Sequence, residues 1–124
     1  KRAEEVFLPG RSEPVILDQE RVLRALINAS ENACKAMNNG GSLTIRALKD
    51  GCNLVFEILD TGVGMSPESL ERIFQPFYSQ STSGGTGLGM VIIKSIIEAH
   101  HGTVSISSAI GAGTRLVLTL PVFL

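Results

Sequence analysis

Cysteine is scarce in this chain of 124 residues, and its two cysteines, Cys34 and Cys52, form neither a CxxC pair nor a metal-ligand spacing. That argues against a zinc centre or dithiol redox chemistry and leaves reduced, intracellular thiols as the expectation. Net charge is equally sparse: 11 Lys and Arg against 12 Asp and Glu give a formal charge of −1. Bulk electrostatics therefore offers no grip on nucleic acid and no reason for direct membrane contact. No apolar run approaches the ~18 residues that a membrane-spanning helix needs. Internal repeats, a low-complexity tail, a signal peptide and an initiator Met are all missing. The abrupt opening Lys1-Arg2-Ala3-Glu4-Glu5 reads as part of a longer protein. A cytoplasmic location is expected, whether or not the parent protein is membrane-anchored.

A hydrophobic fraction of 44% with 19% charged residues suits one soluble globular domain, here taken as residues 1–124. Glu5 to Leu8 and Pro14 to Leu17 read as short strands. Asp18 is placed to N-cap a helix running to about Met37, closed by Asn38-Asn39-Gly40-Gly41. Ser42 to Lys49 and Cys52 to Leu59 form a hairpin around Asp50-Gly51. Ser66-Pro67-Glu68 opens a short helix to about Phe74. Gln75 to Gly85, rich in Ser, Thr and Gly, reads as a mobile loop. A second long helix spans about Gly87 to His101, and Thr103 to Ser108 with Thr114 to Leu120 make a last hairpin. The expected fold class is α+β, a two-layer sandwich: a mixed, mostly antiparallel sheet with helices on one face.

Three stretches carry chemistry. At the end of the apolar run Leu54 to Leu59, the segment Asp60-Thr61-Gly62-Val63-Gly64-Met65 delivers a carboxylate and two glycines into a loop. A carboxylate leaving the core needs a donor, and the glycines let a flat ligand approach bare backbone. On the first long helix, Val22, Leu23, Leu26, Ile27, Ala29, Ala33, Cys34 and Met37 fill one apolar sector, with Asn28, Asn32 and Lys35 beside it. Each mid-helix Asn costs roughly half a kcal/mol against Ala. An amide oxygen suits Mg²⁺, and a lysine one turn on suits phosphate. Finally, Gly84-Gly85-Thr86-Gly87-Leu88-Gly89-Met90 precedes the second long helix, a backbone cradle for an anion. It is neither a Walker P-loop nor a GxGxxG turn.

Taken together, Asn28 through Lys35, Asp60 through Met65, Phe74-Gln75-Pro76-Phe77 and Gly85 through Gly89 resemble the N, G1, F and G2 boxes of sensor histidine kinases. Order and spacing match the ATP-binding catalytic domain, of the superfamily shared with gyrase, MutL and the large heat-shock chaperone. The resemblance runs from about Leu17 to Pro121 and implies the Bergerat-type sandwich with a short ATP lid. It implies ATP and Mg²⁺ as cofactors, and Asn28, Asn32 and Lys35 as catalytic residues, Asn32 holding the metal and the other two facing the phosphates. It implies that Asp60 receives the adenine amino group in a pocket shaped by Gly62 and Gly64. Gly85, Thr86, Gly87, Leu88 and Gly89 would line the phosphates at the lid's end, and Phe74 and Phe77 would flank the lid. Thr114, after Gly111-Ala112-Gly113, resembles the threonine that supports adenine through water.

Three departures accompany the resemblance. Asn28 stands where hydrolytic relatives carry a general-base glutamate, and a neutral amide cannot activate water, which favours phosphoryl transfer to a partner. No Lys or Arg lies between Arg72 and Lys94, so the lid brings no cation to the γ-phosphate. His101 occupies a place where the family often has glycine, and His100 and His101 read as charge or capping at a helix C-terminus. The accepting histidine would lie on a separate dimerisation domain of the parent protein, an acidic partner residue such as Glu31 contributing, with a response regulator acting downstream. Two alternatives stay open: a serine kinase of the anti-sigma type, whose product would be acid-stable, and a docking module that senses nucleotide without phosphotransfer.

Overall fold

The computed structural model describes residues 4–7, 14–78 and 88–121. Strands β1 (Glu4–Phe7) and β2 (Pro14–Leu17) pair with each other as an antiparallel ribbon. Helix α1 (Gln19–Lys35) follows, then β3 (Leu43–Asp50) and β4 (Asn53–Asp60) as a hairpin turning at Gly51 and Cys52. Helices α2 (Pro67–Arg72) and α3 (Gly89–Ala99) occupy the connection to β5 (Thr103–Ser108) and β6 (Thr114–Leu120). The main sheet runs in the order β3-β4-β6-β5, and each of its neighbouring pairs is antiparallel. The architecture is the expected α+β arrangement, and no parallel pair occurs among the described strands.

Alternation on the strands divides the sheet into two faces. Leu54 and Ile58 of β4 and Leu116, Leu118 and Leu120 of β6 are buried, one residue in two. They meet Met90, Ile93, Ile96 and Ile97 of α3 and Val22, Ala25 and Ala29 of α1 in a single core. Each fully buried Leu or Ile there is worth roughly 1.5–3 kcal/mol relative to exposure. The opposite face is mixed: beside the buried Val55, Glu57 pairs with Arg46 and, through Nε at 3.1 Å, with Arg115.

The apolar sector of α1 is narrower than its pattern suggests. Val22, Ala25, Ala29 and Ala33 are buried, whereas Leu23 and Ile27 stay half exposed and Cys34 is exposed. The reason lies beneath them. β3 is the edge of the sheet, exposed along nearly its whole length, so the outer flank of α1 overhangs an edge instead of a core. Ala25, which did not stand out among the larger residues, is fully buried where α1 packs on α3.

Two caps tie the helix ends together. Asp18 Oδ1 accepts the Arg21 N–H at 3.2 Å, the expected N-cap. The same residue's backbone N–H donates to His100 Nε2 at 3.1 Å, while His100 Nδ1 lies 2.9 Å from the Ile96 carbonyl. A carbonyl can only accept and an N–H can only donate, so one neutral tautomer, protonated at Nδ1, satisfies both contacts. Helix α3 then closes with Gly102 N–H on Ile97 O and His101 N–H on Glu98 O, both 2.9 Å, with His101 at φ +62°. This is a Schellman motif with histidine in the left-handed position.

Candidate functional site

The elements converge at one end of the helix-facing side. There the last turn of α1, the loop leaving β4, the first turn of α3 and the β5–β6 turn come together. The loop after Asp60 is fixed from three directions. Val63 N–H donates to the Ala36 carbonyl at 3.0 Å, and Val63 O receives the Gly111 N–H at 2.8 Å. Met65 N–H donates to Ser108 Oγ at 2.8 Å, and Thr61 Oγ1 accepts the Ser42 N–H at 2.9 Å.

These contacts explain both glycines of the loop. A Cβ on Gly62 would fall on the Ala36 carbonyl, and Gly64, at φ +72°, would drive one into the Ala109 carbonyl. Asp60 itself is half-buried; its Oδ1 accepts the Gly62 N–H at 2.8 Å. The second carboxylate oxygen takes no protein hydrogen bond among the described residues. Directly across the ladder from Asp60 stands Thr114, so the two side chains share one face of the sheet.

Asn32 continues the buried stripe of α1, one turn beyond Ala29, and reaches α3. A Cβ on Gly89 would lie 3.3 Å from both the nitrogen and the oxygen of its amide. The first residue of α3 and the amide therefore meet without an intervening side chain. An amide oxygen beside a helix N-terminus suits a hard cation accompanied by phosphate, so these donors fit Mg²⁺ with a nucleotide. Asn28, one turn earlier, is half-buried and spends Nδ2 on the Arg24 carbonyl at 3.1 Å. Lys35 is exposed on the last turn, its ammonium adding positive charge beside the helix end.

The structure thus gathers Asn32, Asp60, Gly62, Gly64, Gly89 and Thr114, with Asn28 and Lys35 on the neighbouring turns of α1. Leu88 is half-buried as the N-cap residue of α3. Gly85, Thr86 and Gly87, and most of the expected lid, lie outside the described residues. Phe74 packs on the core with Lys94 Nζ 5.2 Å from its ring centre, a cation–π distance. Phe77, by contrast, is 78% exposed at φ +66°. Ser108 escaped the sequence reading although it bonds the loop, the turn and Thr114 at once. Counting back from Thr114 around Gly111-Ala112-Gly113 would have found it, since hairpin register sets Ser108 opposite Thr114. An open groove of about 560 Å³ on the outer flank of α1, between Leu23, Ile27 and Ile45, shares only Lys35 with this site.

The family described as "Histidine kinase-, DNA gyrase B-, and HSP90-like ATPase" matches residues 17–123. Sporulation kinase B of Bacillus subtilis is 36% identical over 120 residues, covering 94% of this chain and 28% of that protein. The chain thus spans little more than a quarter of that relative's length. Among solved structures, the mycobacterial sensor histidine kinase MprB superposes with a TM-score of 0.78 at 28% identity, over 89% of this chain and 77% of that one. Full-length ShkA in complex with AMPPNP gives 0.77 at 27% identity, over 88% of this chain and 23% of that one.

Proposed function

Because the chain belongs to the histidine kinase-, DNA gyrase B- and HSP90-like ATPase family, we propose that it is the ATP-binding catalytic domain of a sensor histidine kinase. On this reading it binds ATP with Mg²⁺ and donates the γ-phosphoryl group to a histidine on a separate dimerisation domain of its parent. A response regulator would then receive the phosphoryl group. The observation that carries the reading is the meeting of Asn32 with Gly89 at the start of α3, while the loop after Asp60, opposite Thr114, is tied to the end of the same helix α1 through Ala36. A cation- and phosphate-suited amide and a hydrogen-bonding carboxylate on adjoining elements suit a ligand with an anionic end and a hydrogen-bonding base. ShkA, solved with AMPPNP, supports a nucleotide as that ligand.

Each residue has a role. The free oxygen of Asp60 accepts the amino group of adenine, and Thr114 supports the same edge. Gly62 and Gly64 keep the base against bare backbone. Asn32 would hold the cation, with Asn28 and Lys35 facing phosphate oxygens and Gly85, Thr86, Gly87, Leu88 and Gly89 presenting backbone to them. When bound, Mg²⁺ would supply charge neutralisation at the phosphate oxygens. In the transfer itself, a histidine nitrogen attacks the γ-phosphorus while its bond to the bridging oxygen breaks, releasing ADP. Positioning provides most of the acceleration in such a reaction. An amide at position 28 cannot take a proton from water as a carboxylate there could, which supports transfer over hydrolysis.

On this reading the domain works in the cytoplasm, whether or not its parent is membrane-anchored; no helix among the described residues is long and apolar enough to cross a membrane. Its test has two stages. Calorimetry should show ATP binding that is strengthened by Mg²⁺. Addition of the parent's histidine-bearing domain with γ-labelled ATP should then produce an acid-labile label on that domain. Binding without transfer would leave only a nucleotide-sensing module, and an acid-stable label would mean a hydroxyl acceptor.

A further inference from the structure

Methionine occurs three times in the chain, and burial separates the three. Met65 and Met90 are buried, whereas Met37 is half-exposed. Met37 lies two residues past the end of α1, where the chain turns towards β3. Its backbone closes that turn: its N–H donates to the Cys34 carbonyl at 3.1 Å, and its carbonyl receives the Gly40 N–H at 3.0 Å. Its thioether reaches the loop after β4, where Thr61 Oγ1 donates to Sδ at 3.8 Å.

Three groups crowd together at that point. Thr61 turns its one hydroxyl proton to the sulfur and accepts the Ser42 N–H at 2.9 Å. Gly41 closes the third side: a Cβ there would fall 2.7 Å from Met37 Sδ and 2.6 Å from Thr61 Oγ1. Not even one more heavy atom fits between them. The bonds that fix the Asp60 loop are immediate neighbours. Ala36, just before Met37, receives the Val63 N–H, and Thr61 sits between Asp60 and Gly62, whose N–H holds Asp60 Oδ1. A change at the sulfur is therefore passed to the loop through Thr61.

We propose that Met37 is an oxidation site through which a peroxide lowers nucleotide affinity, its sulfoxide displacing Thr61 and with it the Asp60 loop. Exposure governs which methionines oxidise, and it singles out Met37. In the reaction with hydrogen peroxide, a sulfur lone pair attacks one peroxide oxygen. The S–O bond forms, the O–O bond breaks, and the second oxygen leaves with both protons as water. Sulfur loses two electrons and the peroxide gains them. The product is larger and polar, and its oxygen is a far better acceptor than the thioether. Thr61 turns its proton to that oxygen, and the crowding at Gly41 prevents sulfoxide and threonine from both keeping their places. The effect comes from an added atom, so it does not depend on the weak thioether contact being strong. The consequence for affinity rests on the nucleotide reading above; the modification and the loop displacement do not.

The experiment treats the chain with hydrogen peroxide and then with dithiothreitol, which returns oxidised Cys34 and Cys52 to thiols and leaves methionine sulfoxide in place. Peptide mass mapping should find one added oxygen on Met37 before any on Met65 or Met90. Competition against a fluorescent adenine nucleotide should show ATP affinity reduced about tenfold, the scale of one hydrogen bond. Amide exchange at Thr61, Gly62 and Val63 should quicken. Methionine sulfoxide reductase should restore both. Met37→Leu, similar in volume and without sulfur, should hold its ATP affinity and its exchange rates through the same treatment. Earlier oxidation of Met65 or Met90 would overturn the site. A Met37 sulfoxide that leaves affinity and exchange unchanged would overturn the coupling. If Met37→Leu does not fold, restoration by the reductase decides, and its failure would overturn the proposal. Should the untreated chain bind no ATP, the nucleotide reading fails, while amide exchange at Thr61, Gly62 and Val63 still decides whether the sulfoxide displaces the loop.

Discussion

A carboxylate with one oxygen tied down and the other free is a directional device, and Asp60 is one. Its Oδ1 is held by the Gly62 N–H, which fixes the plane of the group and aims the second oxygen. Guanine would set a carbonyl against that oxygen, with no proton between two acceptors. A site built to hydrogen-bond one group penalises an analogue lacking it by up to ~10⁴ to 10⁵. In an open pocket, discrimination between ATP and GTP on the order of 10² to 10³, ~3–4 kcal/mol, is expected. Asp60→Asn should lose ATP affinity and narrow the gap, because the amide can present its NH₂; competition binding with both nucleotides checks it. Comparable wild-type affinities would remove Asp60 from the adenine pocket. At the other end of the site the division of labour is also testable. Asn32→Ala should weaken Mg²⁺-dependent binding more than Mg²⁺-free binding, while Lys35→Ala should weaken ATP and ADP in either condition. Calorimetry with and without metal separates the two, and identical metal-independent losses would refute the assignment. These residues were legible because their chemistry is written in residue type: a carboxylate, amides, a lysine and glycines at tight spacing. Ser108 was not, since a serine on a strand becomes informative only when register shows what it faces.

Elements were legible where local rules govern and less so where neighbours do. The last hairpin, Thr103–Ser108 with Thr114–Leu120, follows its sequence signals residue for residue, because turn chemistry and alternation are local. Pro67 after Ser66 likewise opens α2, with Ser66 Oγ accepting the Ser69 N–H at 3.2 Å. The inward face of α1 was harder, since Leu23 and Ile27 look like core until one knows that β3 below them is an edge. The end of α3 shows a local rule violated. His101 holds a left-handed φ of +62°, which a side chain with a Cβ adopts at a cost. His101→Gly should stabilise the fold by about 1 kcal/mol, a rise in Tm on the order of 3–6 °C for a domain this size. His101→Ala, which keeps the Cβ, should give no such gain. Thermal unfolding of both variants checks the point; equal gains would mean that loss of the imidazole, not relief of backbone strain, is responsible.

At the scale of the whole molecule, the question is whether a chain that carries nucleotide machinery also carries something to phosphorylate. Its two histidines, His100 and His101, adjoin each other at the end of α3. Attack on phosphorus needs an imidazole nitrogen with an available lone pair. In His100, Nδ1 gives its proton to the Ile96 carbonyl and Nε2 spends its lone pair on the Asp18 N–H. Neither nitrogen can attack unless the junction between α1 and α3 opens, at a cost of order 1–3 kcal/mol for the buried groups left unpaired. His101 is exposed, but it sits at the C-terminal end of α3, whereas Asn32 meets the N-terminal residue of that helix. Ten residues separate Gly89 from Ala99, ~15 Å at 1.5 Å per residue, well beyond the ~3–3.5 Å of a near-attack geometry. The rigid core between these ends gives the helix no means of bending back on its own phosphate site. The isolated chain should therefore bind ATP yet remain unlabelled by γ-labelled ATP. If the proposed function holds, a separate histidine-bearing domain of the parent should become labelled when the two are mixed. Incubation of the chain alone, followed by electrophoresis under alkaline conditions that preserve phosphohistidine, makes the measurement. Stoichiometric labelling at His100 or His101 would show that the domain supplies its own acceptor, and would overturn the division of donor and acceptor between two domains.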